Sequence, residues 1–102
     1  MLRFIGNLFK RKHIDFRALV KSGALIIDVR TIDEFRDGHL KSSRNIPLDS
    51  IQSRLPELKK LQKPIITVCR SGARSGMAKS ILTAGGLTVY NGGAWNVLGK
   101  KL

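Results

Sequence analysis

Two short runs, residues 25–29 (LIIDV) and 64–68 (PIITV), constrain the fold more than any other feature of this chain. Neither alternates polar with apolar residues, and both are rich in β-branched side chains. Runs of this kind suit strands covered on both faces, as in parallel sheets. Helix signals surround them. Asp15 caps a short helix over residues 16–21 that Ser22-Gly23 ends; Thr31 caps another through Arg36, and Asp37-Gly38 turns the chain. Residues 43–48 read as a further extended segment leading to a helix capped by Asp49, which runs to about Leu58 and is kinked or shortened by Pro56. A helix over 75–84 ends at Gly85-Gly86, residues 87–90 form another short strand, and Asn91-Gly92-Gly93 opens a final helix around Trp95 to Leu98. Strands alternating with helices predict an α/β fold, with a mainly parallel central sheet flanked by helices on both faces.

The chain has 102 residues, 42% of them hydrophobic, enough for one ordinary core. Residues 1–12 read as a basic amphipathic extension and residues 13–102 as a single domain. In the extension Leu2, Ile5, Leu8 and Phe9 share one helical face, followed by Lys10, Arg11 and Lys12. A start helix packing on the domain, or a disordered segment, is the ordinary reading; peripheral membrane or partner contact is the competing one. Gly6 and Asn7 interrupt the apolar stretch and the positive cluster follows it, so a secretory signal is not expected. No apolar run approaches the ~20 residues that cross a bilayer.

Nineteen basic against seven acidic residues give a net charge of +12, and the charge is uneven. All the acids lie between Asp15 and Glu57; beyond them come only Lys59, Lys60, Lys63, Arg70, Arg74, Lys79, Lys100 and Lys101. Such a field favours anionic ligands, acidic partners, nucleic acid or a membrane surface, and composition alone does not choose among them. Sequence-specific nucleic-acid binding is not expected, because aromatics are only 6% and no recognition motif is present. The one cysteine, Cys69, precludes an intramolecular disulfide and a cysteine-only metal site, and fits a reducing, cytoplasmic setting. His39 and His13 stand without ligand-spaced partners, so neither a metal nor a cofactor is expected.

Cys69 directly follows the second apolar run and opens the loop Arg70-Ser71-Gly72-Ala73-Arg74-Ser75, after which a helix begins. At a strand–loop–helix junction the loop N–H groups can converge on an anion, and the helix N-terminus adds partial positive charge. A thiolate at the base of that cradle is favoured over the thiol, with Arg70 and Arg74 close by, which makes Cys69 a candidate nucleophile. Free cysteines are more often small core residues. Two arginines, two serines and a glycine within six residues favour the nucleophile. Four residues separate Cys69 from Arg74, one fewer than the phosphate-binding ring of cysteine-dependent phosphatases requires. The shorter ring suits one extra sulfur atom on the cysteine better than a phosphoryl group.

From about Asp15 to Leu98 the sequence resembles a single-domain rhodanese (sulfurtransferase). Asp28-Val29-Arg30 with Glu34-Phe35 is similar to the family's D-V-R-x-x-x-E-[FY] stretch, and Gly38-His39-Leu40 with Asn45-Ile46-Pro47 to its G-H-[IL] … N-I-P stretch. Cys69 to Ser75 matches the loop C-R-S-G-x-R-S, and Gly85, Val89, Asn91, Gly92-Gly93 and Trp95 follow the family's ending. Two departures stand out: Lys41-Ser42-Ser43 replaces x-Gly-Ala, and two residues common between Asn91 and Gly92 are absent.

The resemblance implies a persulfide on Cys69, loaded from an anionic sulfur donor such as thiosulfate and unloaded to cyanide or an external thiol. Residues Arg70, Ser71, Gly72, Ala73, Arg74 and Ser75 would bind the substrate, while Asp28, Arg30, Glu34 and His39 look structural, with an Arg30–Glu34 ion pair across one helical turn. The alternative is a rhodanese-like sulfur carrier or binding module docking on an acidic protein. An internal disulfide, as in some arsenate reductases, is precluded in a chain with one cysteine.

Overall fold

A computed structural model describes residues 13–102; the amphipathic extension expected over 1–12 lies outside the described residues. In chain order the elements are α1 (Phe16–Lys21), β1 (Leu25–Asp28), α2 (Ile32–Asp37), β2 (Ser43–Asn45), a 3-10 turn (Leu48–Ser50), α3 (Ile51–Leu61), β3 (Ile65–Cys69), α4 (Ala73–Ala84), β4 (Val89–Ala94) and α5 (Trp95–Lys101). The four strands form one parallel sheet in the order β2-β1-β3-β4.

Both expected buried runs are the two central strands, and successive side chains feed opposite layers. Ile27, Val29, Ile65 and Cys69 pack with Ile51 and Leu58 of α3 and with Ala78 and Leu82 of α4. On the other face Ile26, Ile66 and Val68 pack with Phe16 of α1 and Leu98 of α5. Helices therefore cover both faces, which explains why neither run alternates.

From β1 the chain goes outward to β2 on one side and then back past β1 to β3 on the other. Ligand sites of open α/β sheets lie outside the carboxyl ends of strands at such a reversal. Here those ends carry Asp28 on β1 and Cys69 on β3.

Local expectations hold where capping chemistry is explicit. The Asp15 carboxylate accepts the Ala18 N–H at 3.0 Å. Thr31 and Glu34 form a reciprocal capping box: Thr31 Oγ1 accepts the Glu34 N–H at 3.2 Å, and Glu34 Oε1 accepts the Thr31 N–H at 3.1 Å.

Several boundaries differ from expectation. Asp49 lies in the 3-10 turn, and α3 starts at Ile51 with no side-chain cap. Pro56 does not shorten α3, which runs to Leu61 and ends where Gln62 turns left-handed (φ 53°). Helix α4 begins at Ala73 rather than residue 75, which brings Arg74 and Ser75 into its first turn.

The largest difference is at β4. Asn91, Gly92 and Gly93 do not open a helix but continue the strand to Ala94 through a bulge: Thr67 pairs with Asn91 and Val68 with Gly93, leaving Gly92 as the extra residue. A β-carbon on Gly92 would lie 2.8 Å from Ile66 Cγ2 and 3.1 Å from the Thr67 carbonyl oxygen. Only glycine fits that approach.

Candidate active site

Strand β3 delivers Cys69 to the carboxyl edge of the sheet, and the next three residues curl around its side chain. Gly72 makes the turn possible: it sits at φ 104°, a region closed to most side chains, and its N–H points at Cys69 Sγ from 2.9 Å. Ser75 Oγ, fully buried in the first turn of α4, lies 3.4 Å from the same sulfur.

These contacts decide the protonation of the buried thiol. Burial, the strongest single influence, pushes the Cys69 pKa up. The Ser75 hydroxyl and the backbone N–H groups of Ser75, Gly72 and Ser71 act the other way and together prevail, so the pKa falls below the ordinary thiol value.

Two residues that the sequence reading did not place at the site hold this loop from outside. Thr67 Oγ1 donates to the Ser75 carbonyl at 2.9 Å, and Asn91 Nδ2 donates to the Gly72 carbonyl at 3.1 Å. Asn91 Oδ1 also accepts the Ser75 hydroxyl at 2.6 Å and the Gly93 N–H at 2.9 Å. In sequence, an asparagine followed by two glycines signals a turn, and only the cross-strand register reveals that it faces Ser75.

The two arginines of the loop have different circumstances. Arg74 makes a bidentate ion pair with Glu34, at 2.7 and 2.9 Å, that ties the start of α4 to α2. Arg70 is exposed, and among the described residues its guanidinium has no partner. Ser71 and Ala73 are also exposed.

The expected Arg30–Glu34 ion pair is not formed. Arg30 Nε and Nη2 instead clasp the fully buried Asp28 carboxylate at 2.9 and 2.7 Å. Nη2 also donates to the Gly38 carbonyl at 2.7 Å, and Nη1 meets only the Glu34 backbone oxygen, at 3.3 Å. The guanidinium stacks over Trp95 at 4.8 Å from the ring centroid, and Asn45 Nδ2 holds the Asp28 and Arg30 carbonyls at 2.9 and 3.0 Å. This buried knot fixes the turn after β1 beside Cys69's strand. His39 lies outside it, stacked on Phe35 at 3.7 Å with Nδ1 2.7 Å from the Phe35 carbonyl oxygen. Among the described residues no three His, Cys, Asp or Glu side chains cluster as metal ligands.

Glu34 has a measurable pH consequence. The Arg74 hydrogen bond, followed by that of the Thr31 N–H, lowers its pKa from 4.5 to about 2, against an opposing push from burial. A carboxylate depressed by folding stabilises the native state above its unfolded pKa, and that contribution disappears as pH falls from 4.5 towards 2. Both side chains are about one-third exposed, so solvent screening limits the pair to about 1 kcal/mol. Glu34→Gln should lose about that much at pH 7 while retaining a capping oxygen, and the gap from wild type should close at low pH. Urea midpoints measured from pH 7 to 2 check it.

The geometry has close relatives. A family model for the rhodanese-like domain matches residues 12–97, and the chain belongs to this family. The uncharacterized protein YqhL of Bacillus subtilis is 40% identical over 78 residues, a match covering 76% of this chain and 60% of that one. Thiosulfate sulfurtransferase 18 of Arabidopsis thaliana is 40% identical over 83 residues, covering 69% and 61% respectively. This chain therefore spans about three-fifths of the length of those two relatives. Among solved structures, a rhodanese with anions from E. coli superposes with a TM-score of 0.67 at 29% identity, covering 72% of this chain and 89% of that one. None of the described helices is long and apolar enough to cross a membrane.

Proposed function

We propose that this chain is a sulfurtransferase that carries a sulfane sulfur on Cys69. The observation that carries the reading is the ring around Cys69 Sγ, with the Gly72 N–H at 2.9 Å and Ser75 Oγ at 3.4 Å. The family and the thiosulfate sulfurtransferase among its relatives support the reaction class.

The reaction has two balanced steps. The Cys69 thiolate attacks the outer sulfur of thiosulfate; a new S–S bond forms, the old one breaks, and sulfite departs with its electron pair. Negative charge then sits on the terminal sulfur of the persulfide, where loop N–H groups favour it as oxyanion-hole donors favour a developing anion. Cyanide or a thiolate next attacks that sulfur, leaves with it, and returns the Cys69 thiolate. The loop lowers the Cys69 pKa and so raises the fraction present as the attacking thiolate without a separate general base.

Arg70 is the guanidinium available to an incoming dianion, whereas Arg74 is engaged with Glu34. Arg70→Ala should raise the thiosulfate KM about tenfold with kcat within about twofold, the signature of lost binding to a charged group. Initial rates of thiocyanate formation measure both. An unchanged KM would remove Arg70 from donor binding, and no turnover by the wild type with any sulfane donor would remove the proposed reaction.

A second reading, a sulfur carrier docking on an acidic protein, draws on charge. Lys59, Lys60, Lys63, Lys79, Lys100 and Lys101 are not needed by the thiosulfate site, and all six are exposed. Salt-sensitive binding to an acidic sulfur-handling protein, together with poor thiosulfate kinetics, favours this alternative. The lone thiol also supports placement in the reducing cytoplasm.

A further inference from the structure

We propose that Asn91 is the positioning residue of the sulfur site, acting on Cys69 through Gly72 and Ser75. It touches neither the sulfur nor the exposed mouth of the loop. Instead its carboxamide makes three hydrogen bonds, two of them to the residues whose donors face Sγ. Nδ2 holds the Gly72 carbonyl at 3.1 Å, which orients the peptide turn that aims the Gly72 N–H at the sulfur. Oδ1 accepts the Ser75 hydroxyl at 2.6 Å, the same hydroxyl that lies 3.4 Å from Sγ.

The Ser75 contact also lets the site follow the charge of the sulfur. A hydroxyl has one proton to donate and can accept through its lone pairs. With Cys69 as the thiol, S–H donates to Ser75 Oγ and Ser75 donates to Asn91 Oδ1, an unbroken chain. With Cys69 ionised, the Ser75 proton turns to Sγ, and Oδ1 keeps the Gly93 N–H at 2.9 Å, so no buried polar atom is orphaned. Asn91 thus holds the Ser75 hydroxyl while Cys69 is a thiol, and through Nδ2 it braces the Gly72 carbonyl in both states.

Asn91 pairs with Thr67 in the regular register just before the bulge at Gly92, and the Thr67 hydroxyl holds the Ser75 carbonyl at 2.9 Å. Gly76, next to Ser75, leaves room for the carboxamide: a β-carbon there would lie 3.3 Å from Asn91 Nδ2. The charged groups around the loop are Arg70, the Arg74–Glu34 pair on α4 and α2, and the Asp28–Arg30 pair after β1. A substitution at Asn91 changes none of them.

Asn91→Ser is the decisive variant. Serine can keep a turn bond to the Gly93 N–H, which preserves the bulge, but is too short to brace Gly72 and Ser75. Alkylation of Cys69 by iodoacetamide, followed against pH, reads the thiolate population directly. Asn91→Ser should shift that profile upward and slow alkylation at neutral pH about three- to tenfold, with kcat for thiosulfate falling and KM little changed. In a Ser75→Ala background the same substitution should shift the profile less, because part of its route is already gone.

A folded Asn91→Ser protein with the wild-type pH profile overturns the proposal, as does full additivity with Ser75→Ala. If that variant is unfolded, Asn91→Ala takes its place: an upward shift of its profile supports the proposal and an unchanged profile overturns it. If neither folds, the profile of Ser75→Ala decides: a shift upward supports the route through Ser75, and no shift overturns it. The inference rests on Cys69 as the sulfur-carrying nucleophile, yet alkylation needs no sulfur donor. A wild-type thiol with a low profile and no persulfide contradicts the proposed function and leaves the role of Asn91 standing.

Discussion

Replacing Cys69 by serine is expected to abolish thiocyanate production, a fall of more than about a thousandfold in kcat/KM, while the fold survives. The loop lowers the Cys69 pKa through N–H donors and the Ser75 hydroxyl, which raises the thiolate fraction, whereas an aliphatic alcohol in the same place is far too weak an acid to ionise. Serine also cannot form the S–S bond of a persulfide. Stability should change little, because the new hydroxyl can accept the N–H that Gly72 now gives to sulfur at 2.9 Å. Circular dichroism and a urea midpoint close to wild type establish that the lost activity is chemical. Residual turnover above a few percent would mean that sulfur transfer bypasses Cys69, the only cysteine of the chain.

The second large effect is on stability. Arg30→Ala should cost about 3–5 kcal/mol, because it leaves the Asp28 carboxylate buried with its principal counter-charge gone. Asp28 is 0% exposed and Arg30 4%, so water cannot replace the lost guanidinium without opening the structure. Gly38 and the Trp95 face would also lose their contacts. Against a total stability of about 5–15 kcal/mol for a domain, this endangers folding itself. Urea unfolding at pH 7 measures it. The double replacement Asp28→Leu with Arg30→Met should be less damaging than Arg30→Ala alone, because it removes both charges rather than orphaning one. Equal losses would show that packing, rather than the uncompensated charge, dominates.

Arg30 also marks where sequence reasoning stops. The Thr31 cap is legible because a cap and its helix are neighbours in sequence, and the structure forms it, with Glu34 completing the box. An ion pair from Arg30 to Glu34 follows from the same local logic, but each residue has a better partner through space. Arg30 turns back two residues to Asp28, and Glu34 reaches forty residues ahead to Arg74. Local spacing cannot rank such pairings, because they depend on which strand ends the sheet brings together.

The sheet is readable for the opposite reason. Two-sided burial leaves a mark on every residue of β1 and β3, so composition alone reports it. The Cys69 loop is legible through its small residues, including the glycine whose φ of 104° the turn requires. The β4 bulge is not, since Asn91-Gly92-Gly93 is also good turn chemistry and the tight contact that keeps it in the sheet belongs to Ile66 and Thr67. With residues 91–93 read as a helix opening rather than as strand, Asn91 and Thr67 cannot be placed as the outer supports of the site.

The most direct test of sulfur transfer through Cys69 is the intact mass of the reduced protein before and after brief exposure to thiosulfate. The expected result is a gain of about 32 Da, one sulfur atom, located on the Cys69 peptide, reversed by cyanide and missing from Cys69→Ser. An unchanged mass in the folded wild type, with thiosulfate and with a persulfide donor alike, would contradict it.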